Sequence, residues 1–198
     1  MTVPHKDPDG LEREIRACII CADLPLGPKP ICQFNRRAKI LIVGQAPGRI
    51  THDKGIPFDD PSGVRLRSWL GLSTDQFYDS EKVAIIPMGF CFPGTGKGGD
   101  LPPRAECAVK WRAMVLGALQ SVELTVIIGR YSMDWHLPHL KKQSVTQVVK
   151  NWRDYWPEKI VLPHPSPRNN RWLKSNPWFD ADVLPELRLR IETALQYK

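Results

Sequence analysis

Four short apolar runs constrain this chain more than any other feature. They are Lys39–Gly44 (KILIVG), Val83–Met88 (VAIIPM), Leu124–Gly129 (LTVIIG) and Lys159–His164 (KIVLPH). Each is rich in β-branched residues, too short for a helix and closed by Gly or Pro, which predicts buried strands. Residues 63–70, 104–120 and 145–156 between them, and 182–196 after them, have helical spacing. In the last segment Leu184, Leu187, Ile191 and Leu195 share one face. Residues 11–21 predict a further short helix ahead of a Pro-rich extended segment at 24–38. Strands alternating with helices predict an α/β fold: a three-layer α/β/α domain around a central four-stranded parallel sheet. One domain over residues 1–198 is expected, with 1–10 a loose tail.

Such sheets bind ligands in the crevice at the carboxyl ends of their strands. Two loops leave strands at that edge, Gly44-Gln45-Ala46-Pro47-Gly48 and His164-Pro165-Ser166-Pro167. They are expected to converge on one site.

The chain carries 28 Lys and Arg against 21 Asp and Glu, a net charge of +7. A basic surface attracts polyanions, nucleic acid among them. Trp135, Trp152, Trp156, Trp172 and Trp178 sit among Lys, Arg and Asn, where they can stack on bases or pack against a backbone. No apolar run approaches the ~20 residues of a membrane span, and the N-terminus lacks the order of a signal peptide. A cytoplasmic monomer with no membrane partner is expected.

Cysteines fall at 18, 21, 32, 91 and 107. Cys18 and Cys21 form a C-x2-C pair, and 15 residues of loop and helix start separate Cys91 from Cys107. In a cytosolic protein these four read as a metal site rather than disulfides, and zinc or an iron–sulfur cluster suits four thiolates. Cys32 reads as a separate buried thiol. The stretch Gly94–Gly99 (GTGKGG) fails as a nucleotide phosphate loop, because Gly98 stands where Ser or Thr belongs. It is expected to be a loop whose Lys97 touches a nucleic-acid phosphate, with no nucleotide cofactor.

Taken in order, these motifs resemble the uracil-DNA glycosylase superfamily, and most closely its family 4, iron–sulfur branch. The matching residues are Cys18 and Cys21; Gly44-Gln45-Ala46-Pro47-Gly48; Gly55-Ile56-Pro57-Phe58 with Ser62-Gly63; Cys91 and Cys107; and His164-Pro165-Ser166. The resemblance implies a glycosylase that flips a base from DNA and hydrolyses its N-glycosidic bond. It implies a [4Fe–4S] cluster on Cys18, Cys21, Cys91 and Cys107 in preference to zinc. His164 matches the donor that stabilises the departing base, and Phe58 the ring that stacks on it. Gly44, Ala46, Pro47, Gly48, Met88, Gly89 and Ser166 fall in the expected substrate pocket. Arg49, Lys97, Pro167, Arg168, Asn169 and Asn170 fall on the DNA-facing rim.

Two departures bear on the chemistry. Gln45 stands where family 4 carries Glu, and an amide cannot take a proton from water. A carboxylate could instead come from Asp53, Asp59 or Asp60. Asp60 is the first choice, and His52 is the alternative base. Pro87 stands where family 4 carries an Asn that reads uracil, which leaves reading to backbone groups of Met88 to Phe90. The excised base is therefore open: uracil, another deaminated base or a bulkier modified pyrimidine. No lysine sits in either pocket loop, which argues for a monofunctional enzyme rather than a Schiff-base lyase. The alternative is a non-catalytic protein of the same fold that binds flipped bases or single strands.

Overall fold

A computed structural model describes residues 8–196. In chain order the elements are α1 (Pro8–Arg16), β1 (Ile40–Val43), α2 (Arg49–Lys54), α3 (Pro61–Leu70), α4 (Thr74–Tyr78), β2 (Val83–Ile85), β3 (Thr95–Gly96) and β4 (Gly99–Asp100). There follow α5 (Ala105–Ala118), β5 (Leu124–Ile128), α6 (Gly129–His136), α7 (Val145–Lys150), β6 (Lys159–Leu162), α8 (Asn170–Ser175) and α9 (Leu184–Gln196). The four predicted runs are the four strands of one parallel sheet in the order β2-β1-β5-β6. Register places Ile40 opposite both Val83 and Leu124, and Val126 opposite Ile160.

All four residues of β1 are at most 3% exposed, so both faces of the central strand are covered. This is why the run is continuously apolar rather than alternating. The chain steps from β1 to β2 on one side, then crosses back to β5 on the other. That reversal opens the crevice at the carboxyl edge of β1.

Several boundaries differ from those the sequence predicts. Residues 1–7 of the expected tail lie outside the described residues, while residues 8–10 open α1 rather than trailing loosely. That helix ends at Arg16, which puts Cys18 and Cys21 in the turns beyond it. The expected 145–156 helix ends at Lys150, and a tighter 3-10 turn follows over Trp152–Tyr155. The GTGKGG loop is a small hairpin, with Thr95 opposite Asp100. The tryptophans are largely structural. Trp152 is 4% exposed, and Trp172 and Trp178 join Phe179 and Trp69 in an edge-to-face aromatic cluster. Their apolar area outweighs their polar neighbourhood in the sequence.

One charge is buried in the core. Arg112 of α5 is 2% exposed and donates to the carbonyls of Ile86 and Pro87 at 2.9 and 3.1 Å. Its third donor reaches Nε2 of His136 at 2.6 Å. A guanidinium only donates, so His136 must accept there and stay neutral. Burial, followed by the Arg112 charge, pushes His136 down to about 3.

The sign of the resulting pH dependence is set by the unfolded chain. Unfolded His136 takes a proton as pH falls below about 6.5, whereas the folded protein resists until about 3. Stability is therefore full above that window and lost as pH falls through it. Urea unfolding at pH 7 and pH 4.5 should show a loss of about 2 kcal/mol that the His136→Gln variant lacks.

Candidate active site

The cleft at the carboxyl edge of the sheet has a volume of about 490 Å³. The loop after β1 forms one wall, contributing Gly44 through Arg49. Phe58 and Asp60 contribute from the approach to α3, and His164, Ser166, Arg168 and Asn169 from the loop after β6. The β3–β4 hairpin closes the cleft with Gly98, Gly99 and Asp100.

His164 has its orientation set by its own loop. The Ser166 N–H donates to its Nδ1 at 3.1 Å, and the Asn169 side chain donates to its carbonyl at 2.7 Å. With Nδ1 accepting, the proton of the neutral ring sits on Nε2. Burial lowers the His164 pKa, against the opposing pull of Asp60 and Asp100. The loop is braced from α3, where Arg65 donates to the Ser166 carbonyl at 3.1 Å and to Asn170 Oδ1 at 2.8 Å. Arg65 carries no motif signature. Its role depends on a contact across about a hundred residues, which no local pattern records.

Phe58 is the one non-glycine residue with positive φ among the described residues, at 55°. That conformation costs of order 1 kcal/mol and is held by its surroundings. Its ring lies against Gly44, where an added Cβ would be 3.6 Å from the ring tip. The ring also meets Phe77 edge to face at 6.3 Å. Its carbonyl lies so close to Gly63 that a Cβ there would sit 1.6 Å from the oxygen. Glycine is thus required at 63 by close approach, and the Ser62-Gly63 pair acquires a physical reason.

The carboxylates sort themselves by partner. Asp53 is paired with Arg49 at 3.0 Å, and Asp59 with Lys54 at 3.0 Å. Asp60 lines the cleft, but its Oδ1 caps α3 by accepting the Gly63 N–H at 2.8 Å. His52 is 8% exposed, packs against Phe92 and does not line the cleft. Its neighbour Thr51 does. Burial lowers the His52 pKa, with Lys29 adding to the effect. Gln45 points its amide at the hairpin, donating to the Leu101 carbonyl at 2.9 Å.

Other expected residues fall elsewhere. The Met88 and Gly89 N–H groups donate to the carbonyls of Gly44 and Gln45 at 2.9 and 3.0 Å, and Phe90 N–H donates to Cys107 Sγ at 3.3 Å. These donors are therefore unavailable to a base, because the strand end needs them itself. Gly89 lines the cysteine cavity instead. Lys97, Pro167 and Asn170 lie off the cleft wall. The titratable cleft residue absent from the sequence-based expectations is Asp100, hidden beside a stretch that reads as a glycine-rich loop.

A family model, the Uracil DNA glycosylase superfamily, matches residues 32–188. The chain belongs to that superfamily. A solution NMR structure of a Methanosarcina acetivorans protein, with a provisional uracil DNA glycosylase description, is similar at 18% identity and a TM-score of 0.44. The match covers 80% of this chain and 98% of that one.

Cys18, Cys21, Cys91 and Cys107 line a second, narrow cavity of about 20 Å³ with Pro28, Pro30 and Trp111. Burial pushes Cys91 up to about 11 and Cys107 up to about 12. Cys32 is outside this cavity and 1% exposed. Among the described residues, no three of His, Cys, Asp or Glu converge closely enough to hold a single metal ion.

Gly63→Ala tests the close approach that shapes the cleft. The variant should lose about 3 kcal/mol of stability in urea unfolding, because backbone at Phe58 must move.

Proposed function

We propose that this member of the superfamily is a monofunctional DNA glycosylase that flips a damaged or modified base into the cleft and hydrolyses its N-glycosidic bond. The observation that carries the reading is His164. It is a neutral imidazole with Nδ1 occupied, so Nε2–H is the proton left to donate. Breaking the C1′–N bond leaves negative charge on the base. A fixed donor in a water-poor site stabilises that charge as it grows and needs no reorganisation. Phe58 lines the same cleft and offers its ring to the flipped base.

DNA is the partner this reading requires, and the rim supports it. Arg168, Arg171 and Lys174 are exposed along the loop after β6 and α8, and make no ion pair among the described residues. Among those residues no helix is long and apolar enough to cross a membrane.

We also place the chain in the iron–sulfur branch, with a [4Fe–4S] cluster on Cys18, Cys21, Cys91 and Cys107. The gathering of four thiols around one cavity supports it. The Phe90 N–H on Cys107 Sγ suits a thiolate ligand. The group's role is structural: ligation would tie the turns after α1 to the segment from Cys91 to α5, so binding energy becomes folding energy.

Two measurements test these readings. In single-turnover assays on oligonucleotides carrying uracil, hypoxanthine, xanthine or modified cytosines, alkali should reveal abasic sites, and His164→Ala should lower the rate by roughly 10²–10³. An undiminished rate removes His164 from the mechanism. Retained DNA binding with no abasic product on any substrate assigns a non-catalytic reader. Separately, Cys18→Ser and Cys91→Ser should express with loss of solubility and of any brown colour. Colourless, soluble and fully active variants rule the cluster out.

A further inference from the structure

Water attack needs a proton acceptor, and the residue in the motif position for that task, Gln45, cannot serve. Three acids close to the motif are committed elsewhere. Asp53 and Asp59 are paired with Arg49 and Lys54, and Asp60 caps α3 through Gly63. Asp100 differs from all three. It lines the same cleft as His164, and its carboxylate makes no hydrogen bond or ion pair among the described residues.

Its position is fixed from three sides. A Cβ added to Gly48 would be 3.3 Å from Asp100 Oδ2, so the carboxylate lies directly on the β1 loop. The next residue, Leu101, accepts the Gln45 amide at 2.9 Å. On the far side Arg168 reaches over Gly99, where its guanidinium would be 2.7 Å from an added Cβ. The hairpin thus bridges both pocket loops and hangs Asp100 between them. Asp100 and Asp60 are also the two carboxylates whose charge acts on His164.

Resting on the glycosylase reading above, we infer that Asp100 is the catalytic carboxylate that receives the proton of the attacking water. Water oxygen bonds to C1′ as the C1′–N bond breaks. The bonding pair leaves with the base as an anion facing His164, and one water proton passes to Asp100. That proton returns through solvent to the departed base, so the sum is hydrolysis with no further reactant. While the sugar carries positive charge, the same carboxylate opposes it. In this chain the acid is supplied by the hairpin rather than by the β1 loop, and the Gln45 side chain meets the residue beside it.

The test compares Asp100→Asn, Asp100→Glu and Asp60→Asn with the full-length wild type on the substrate the wild type cleaves best. Single-turnover rates, DNA dissociation constants and thermal melting are read together. Asp100→Asn should lose roughly 10²–10⁴ in rate, the range for a missing general base, with DNA affinity and melting unchanged. Asp100→Glu should retain more rate than Asp100→Asn, and Asp60→Asn should lose less rate than Asp100→Asn. Equal rates for the Asn and Glu variants, a wild-type rate for Asp100→Asn, or a large loss confined to Asp60→Asn overturns the assignment alone. A fall in DNA affinity or melting that accounts for the lost rate also overturns it. A wild type that releases no base from any substrate overturns the glycosylase reading itself, and Asp100 falls with it.

Discussion

The backbone from Ile86 to Phe90 holds the two halves of the molecule together. Ile86 N–H continues the sheet by donating to Ile42. Met88 and Gly89 donate to Gly44 and Gln45, Phe90 donates to Cys107 Sγ, and its carbonyl accepts from Ile31. Buried Arg112 takes the carbonyls of Ile86 and Pro87 from behind. Pro87 has no N–H to satisfy, so proline fits where the strand must end. One strip of main chain therefore fixes the floor of the cleft and one wall of the cysteine cavity. A disturbance at the thiols reaches the β1 loop through two peptide bonds, without any side-chain relay.

That strip also shows where the sequence was legible and where it was not. Strand identity could be read from runs such as ILIV, because a strand covered on both faces needs nothing but apolar residues. The motif loops could be read as well, since Gly and Pro mark them. Met88 and Gly89 were expected to read a base, but their N–H groups are engaged in strand-end hydrogen bonds, a matter of register that no residue type announces. His52 and Thr51 exchanged places for a similar reason. The phase of the short α2 decides which of two neighbours faces the cleft, and six residues carry too little periodicity to reveal it. Trp172 and Trp178 lie among polar neighbours in the chain, yet their rings meet Phe179 in the fold.

Charge follows the same division between local and long-range. Four acids are matched by a cation within four residues along the chain, as Asp79 with Lys82 and Asp134 with Arg130. Such exposed pairs add little stability. Arg168, Arg171 and Lys174 are exposed and unpaired among the described residues, and Arg168 lines the cleft.

The neutrality of His164 fits this field. An imidazolium would sit well beside Asp60 and Asp100, yet burial outweighs both and keeps the ring uncharged. In the glycosylase we propose, such a neutral donor would bind an unreacted base weakly and a departing anion strongly, so its stabilisation would grow along the reaction. A fixed positive charge would attract the DNA backbone equally well before and after bond cleavage. The same discrimination explains the rigid geometry around Phe58. The ring is held in a left-handed backbone by contact with Gly63, and the helix that follows is capped by Asp60 at that same glycine. Pocket shape, helix start and loop bracing through Arg65 are therefore one structural unit on α3. The strain at Phe58 is held by packing within the protein, against Gly63 at the start of α3, Gly44 after β1 and Phe77 of α4.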